Sequence, residues 1–86
     1  MIVEVFGKGD KATGALQASL EKALADLGMA GDATLYRIED PAHMVGRGVW
    51  RGPGLALDGK VVCRGRVPTA SEVREYLETA TRRAGG

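Results

Sequence analysis

The chain is short of the residues on which much protein chemistry depends, with one cysteine and one histidine in 86 residues. A lone cysteine, Cys63, excludes an internal disulfide, a Cys-x-x-Cys motif and any cysteine-rich zinc site. His43 is the only histidine, and a metal site needs several ligands, so no set of metal ligands is expected. Net charge is also nearly absent. Twelve Lys and Arg stand against eleven Asp and Glu, which gives no global field to draw nucleic acid or an anionic membrane. No apolar run approaches the roughly 20 residues that span a bilayer. The opening Met1-Ile2-Val3-Glu4-Val5-Phe6 lacks the basic and extended apolar regions of a signal peptide, and the chain reads as cytoplasmic.

The remaining residues give a clear order of elements. The hydrophobic fraction of 44% is that of a globular protein and argues against disorder. The length suits one small domain, residues 1–86. Ile2 to Phe6 reads as an interior strand, because it is nearly continuous in apolar and β-branched residues. Leu16, Leu20, Ala23, Leu24 and Leu27 recur at helical spacing, with Asp10 as N-cap and Gly28 as the stop. Ala33 to Ile38 reads as a second strand, so a right-handed βαβ unit with parallel strands is expected. Asp40-Pro41 opens a short helix carrying Ala42, Met44 and Val45 and ending at Gly46. Leu55-Ala56-Leu57 and Lys60 to Arg64 flank Asp58-Gly59, a two-residue hairpin turn. Thr69-Ala70-Ser71-Glu72 is a capping box after Pro68, and Val73, Tyr76, Leu77 and Ala80 form one face of the closing helix. The Gly85-Gly86 tail is expected to fray. The order is β-α-β-α-β-β-α, an α/β chain without repeats.

The loop Gly7-Lys8-Gly9-Asp10-Lys11-Ala12-Thr13 joins the first strand to the long helix. Free backbone N–H groups and the helix dipole converge at such a place, yet the loop holds no Cys, Ser or His to act as a nucleophile. Asp10 reads first as a helix cap, and as a lone carboxylate it is a poor candidate for acid–base work. Gly7-x-Gly9-x-x-Ala12 also matches a dinucleotide fingerprint, but Asp10 would crowd a pyrophosphate and no further βαβ unit follows. Cys63, inside the last strand, reads as a buried small hydrophobe. Trp50 between Arg47 and Arg51 reads as an aromatic packed over the short helix, flanked by solvated arginines, in preference to a nucleic-acid contact.

The element order, the run Val5-Phe6-Gly7-x-Gly9 and the run Gly52-Pro53-Gly54-Leu55-Ala56-Leu57-Asp58-Gly59 resemble the thioredoxin-like fold. With Gly65-Arg66-Val67 they are similar to the small "redox-active disulfide" proteins, a thioredoxin/glutaredoxin-like family. The resemblance implies a four-stranded mixed sheet flanked by helices, with Pro53 as the family's cis-proline facing Asp10 to Thr13. It also implies that Gly52 offers its backbone to an extended peptide or glutathione-like ligand. The family's Cys-x-x-Cys corresponds to Asp10-Lys11-Ala12-Thr13, so dithiol–disulfide exchange is not expected there. On this reading the chain has no catalytic residues and no cofactor. It binds a peptide, a thiol metabolite or a protein partner at Asp10, Lys11, Thr13, Gly52 and Pro53. Lys8, Lys11, Arg51 and Arg66 are expected as a cationic rim. Residual redox chemistry through Cys63 and nucleotide binding at the glycine loop are the alternatives.

Overall fold

The computed structural model describes residues 1–85. The strands are β1 (Ile2–Phe6), β2 (Thr34–Ile38), β3 (Gly54–Leu57) and β4 (Lys60–Arg64). The helices are α1 (Lys11–Asp26), α2 (Pro41–Gly46) and α3 (Ala70–Gly85), with a 3-10 turn at Ala30–Asp32 that the sequence pattern does not predict. The strands form one mixed sheet in the order β2-β1-β3-β4. β1 pairs parallel with β2 and antiparallel with β3, and β3 pairs antiparallel with β4. The chain is thus an α/β protein with a four-stranded mixed sheet flanked by helices. β2 starts at Thr34, one residue later than expected, and α3 runs through Gly85; Gly86, the end of the tail expected to fray, lies outside the described residues.

Local chemistry accounts for most element ends. Asp10 caps α1 through the Thr13 N–H. At the other end Gly28, at φ +68°, follows the helix while Met29 N–H donates to Leu24 O and Gly28 N–H to Ala25 O. These paired bonds close the last turn, and the left-handed residue they need is a glycine. Asp40 caps α2, with Pro41 in its first turn. Thr69 and Glu72 exchange side-chain to backbone bonds of 3.0 and 3.1 Å at the start of α3. Asp58 and Gly59 both take positive φ, as a tight hairpin requires. Asp58 Oδ1 also accepts from Ile2 N–H at 2.8 Å, which ties the turn to the start of β1.

The alternation of β1 divides the core in two. Val3 and Val5 face α1 and α3, where Leu16, Leu20, Ala23, Leu24, Leu55, Leu57, Cys63, Val73 and Leu77 complete a buried cluster. Phe6 faces the other way and packs with Met44 of α2, Val49 and Ala56. α2 is too short to cover that face, and the exposed part carries Ile2, Glu4 and Tyr36. Glu4 is answered there by Arg47, which binds it through both nitrogens at 2.8 and 2.9 Å and lies over the Phe6 ring.

Candidate functional site

The end of β1 is shaped by one close approach. A Cβ on Gly7, which sits at φ +155°, would lie 2.1 Å from Thr13 Oγ1 and 2.9 Å from its Cγ2. Only glycine fits. Gly7 therefore has a structural reason, its close approach to Thr13, which is 1% exposed, and Gly9 has another, its φ of +79°.

Asp10 sits at the helix entrance with an exposed carboxylate. Its Oδ1 accepts from Thr13 Oγ1 at 2.7 Å and from Thr13 N–H at 2.9 Å. The Thr13 hydroxyl first, and the Thr13 N–H second, hold the Asp10 carboxyl below the usual carboxylate range. A charge stabilised by donors already in place is a poor general base. The arrangement can accept hydrogen bonds from a ligand but supplies no nucleophile.

The second loop closes on the first. The Gly52–Pro53 peptide bond is cis. A Cβ on Gly52 would lie 3.4 Å from Met44 Cε and 3.8 Å from Gly7 Cα, so the two loops are neighbours across this small residue. Pro53 is buried, and its carbonyl accepts from Gly65 N–H at 2.8 Å. Between the loops lies a cleft of about 300 Å³. Lys8, Asp10, Thr13 and Gly52 contribute polar groups, and Pro41, Met44, Val45 and Trp50 form an apolar wall. The cleft thus brings together Asp10, Thr13 and Gly52 of the expected site and Lys8 of the expected rim. Lys11 and Pro53 are not part of its lining.

The expected rim is only partly drawn together. Lys11 and Arg51 are exposed on either loop. Arg66 turns to α3 instead, where Glu72 accepts from both its guanidinium nitrogens at 2.6 and 3.1 Å and the Tyr76 hydroxyl accepts at 3.2 Å. The capping box sets Glu72 where Arg66 can reach it. Arg66 first, and the Thr69 N–H second, lower the Glu72 carboxyl to about 2. One cation missing from the expected rim lies close to the loop: an Arg37 nitrogen lies 3.5 Å from where a Cβ of Gly9 would be, and the other donates to Gln17 Oε1. Arg37 sits at the far end of β2, and nothing in the local sequence signals that approach.

Two readings of single residues change. Trp50 does not pack over α2: it is 79% exposed, while its neighbour Val49 takes the buried position against Phe6. Of these two neighbours in the loop, only Val49 is turned inside. Arg47 is not a solvated flank of Trp50, because it is committed to Glu4. Cys63 is 6% exposed within the α1/α3 core, and burial pushes its thiol up, away from the thiolate that reactivity requires. The apolar wall at Met44 and Trp50 is missed in the sequence, where the only signal is a tryptophan between glycines just before Gly52-Pro53. His43 is exposed on α2, and no group of His, Cys, Asp and Glu that could hold a metal occurs among the described residues. A larger cleft, about 430 Å³, lies between α3 and the β3–β4 hairpin, away from both loops.

Comparison with known proteins bears on this geometry. The family profile described as "Thioredoxin domain" matches residues 1–78. A protein of Methanocaldococcus jannaschii named thioredoxin is 27% identical over 79 residues, covering 92% of this chain and 88% of its own length. A protein of Methanothermobacter thermautotrophicus, also named thioredoxin, is 29% identical over 77 residues, covering 90% of this chain and 97% of its own.

Proposed function

The chain belongs to the thioredoxin domain family, and on that premise we propose that it is a binding module whose redox thiols have been replaced. In this reading Asp10 and Thr13 stand where the family carries its Cys-x-x-Cys. The cleft beside Gly52 takes an extended peptide segment of a protein partner. One observation supports this above the rest: the Asp10 carboxylate closes the entrance of α1 through Thr13, and does so inside a cleft with an apolar wall. The helix entrance keeps a negative charge, as a thiolate would be kept there, but a carboxylate cannot attack a disulfide. The peptide's backbone would meet Gly52 and its side chain would meet Met44, Val45 and Trp50. A redox role suggested by the relatives' names would have to use Cys63, and that thiol is buried with its proton held on. Nucleotide binding is disfavoured as well, since Gly7 is required by its contact with Thr13, Gly9 by its positive φ, and the Asp10 carboxylate occupies the helix N–H. A lone cysteine suits a reducing, cytoplasmic setting.

The test has two arms on the full chain. Reduction of insulin disulfides should not exceed the uncatalysed rate. NMR titration with unstructured peptides should shift the amides of Lys8, Asp10 and Gly52, and titration with glutathione should not. Reductase activity that disappears in Cys63→Ala would overturn the reading, and so would peptide titrations that leave those amides unmoved. A thiol metabolite moving them in the peptide's place would change the ligand class.

A further inference from the structure

The sheet ends in two edge strands, and they differ in how they resist pairing with another chain. β4 carries Lys60 and Arg64 at its ends, and its pairing with β3 is interrupted between Leu55 and Ala56. Charges and irregular pairing are ways in which exposed edges avoid association. β2 has neither. Its pairing with β1 runs unbroken from Ile2↔Thr34 to Phe6↔Ile38, and it contains no Lys, no Pro and no acidic residue. Leu35 is 41% exposed, Tyr36 is 52% exposed, and the adjoining Ile2 of β1 is 50% exposed.

The hydrogen bonds fix which backbone groups are unpaired. Thr34 N–H donates to Met1 O, and Ile38 O accepts from Gly7 N–H. Successive residues alternate along a strand, so Thr34, Tyr36 and Ile38 spend their backbone bonds on β1, and Leu35 and Arg37 point theirs outward. We propose that a second copy of this chain pairs antiparallel with β2 across a two-fold axis at Tyr36, joining two sheets into one. In that register Leu35 of each copy exchanges both backbone bonds with Arg37 of the other, and the two Tyr36 side chains face each other directly. Such an aromatic cross-strand pair is favourable, and no like charges are directly opposed.

The surroundings of β2 fit the same occupant. Glu21 of α1 lies beside Leu35 around an apolar recess of about 200 Å³ that Leu20, Leu24 and Ala33 also line. Arg37 of the second copy would stand opposite Leu35, and so next to Glu21. The two-fold makes that ion pair twice and roofs the recess twice. Within one chain Gln17 donates to Glu21 and accepts from Arg37, which draws the two Arg37 guanidinium groups back over their own helices. The same operation on β4, centred at Val62, would set Lys60 against Arg64. The pairing is therefore specific to one edge, and it is independent of the peptide cleft.

Sedimentation equilibrium of the full chain from about 10 µM to about 1 mM reads the association directly. A reversible monomer–dimer equilibrium is expected. Tyr36→Asp, which opposes two carboxylates and removes the aromatic pair, should weaken it about tenfold or more. Arg64→Asp should leave it unchanged. Circular dichroism of both exposed-site variants should match the parent chain. A monomer throughout the range overturns the proposal, as does a dimer equally sensitive at both edges. Register is read by Tyr36→Cys in a Cys63→Ala background with oxidised glutathione as oxidant. Directly opposed residues of this kind have Cα atoms about 4.5 Å apart, within the range of a disulfide. A covalent dimer supports the register. A dimer seen in sedimentation that does not crosslink at this position overturns it.

Discussion

The two faces of the sheet are finished differently. Toward α1 and α3 the centre of the sheet is sealed: Val3, Val5, Leu55, Val73 and Leu77 are all 0% exposed, in one continuous cluster. Toward α2 a six-residue helix covers only the Phe6 end. That side carries a charged pair in its middle, a nearly bare tryptophan and the cleft. This asymmetry marks where so small a chain can accept change. One face supplies the apolar burial that outweighs chain entropy. The other keeps surface available for contact.

The largest expected effect lies on the sealed face. Leu77→Ala removes a fully buried side chain between α3 and the sheet and should cost about 3 kcal/mol in chemical denaturation. A loss below about 1 kcal/mol would break the contrast, since the core would then be collapsing to fill the space.

Gly7→Ala probes the boundary between stability and site. The added Cβ meets the buried Thr13 hydroxyl and demands a positive φ from alanine. Overpacking and backbone strain together should cost about 2 kcal/mol. Amide shifts in its NMR spectrum should spread through Lys8 to Thr13.

On the open face, Arg47→Ala leaves Glu4 without its partner on a surface where that side chain is 14% exposed. The expected cost near neutral pH is about 1–2 kcal/mol. Its sign with pH follows from the bond that lowers the Glu4 carboxyl. The depressed folded value stabilises the chain above the ordinary Glu value of about 4.3 and is lost as pH falls through the folded value. The parent and Arg47→Ala stabilities should therefore converge below about pH 4. Denaturation curves that stay equally far apart in acid would assign Arg47 a packing role instead.

The smallest stability effect is expected at Trp50. With 79% of its surface already in water, Trp50→Ala should change stability by less than about 0.5 kcal/mol. If the cleft takes peptide, the same variant should weaken peptide binding several-fold by calorimetry. A variant that loses stability and keeps binding would reverse the assignment of the two faces.

Much of this arrangement is legible before folding, because its causes are local. Asp10 and Thr13, Asp40 and Ala42, Thr69 and Glu72 all bond within three residues of each other, so cap chemistry places the helix starts. Asp58-Gly59 sets the hairpin through its own torsion angles, and Gly28 ends α1 in the same way. The position of the loop between β1 and α1 follows from those elements, and the expectation that Gly52-Pro53 stands beside it rests on the family resemblance. Other features depend on partners far away in the sequence. Arg47 reads as a solvated arginine until β1 brings Glu4 beside it from 43 residues away. Arg66 reads as part of the rim until α3 presents Glu72.

Residue types and their spacing were enough to set the order of elements, their caps and turns, and the absence of a thiol at the entrance of α1. These depend on residue type and on contacts within a turn or two of chain. Long-range packing was needed to make Met44 and Trp50 wall the cleft, to bring Arg37 to Gly9, and to leave β2 with an open edge while β4 is guarded. Each of those depends on which strands become neighbours and which face a short helix fails to cover. Pairing order and packing settle that for the chain as a whole.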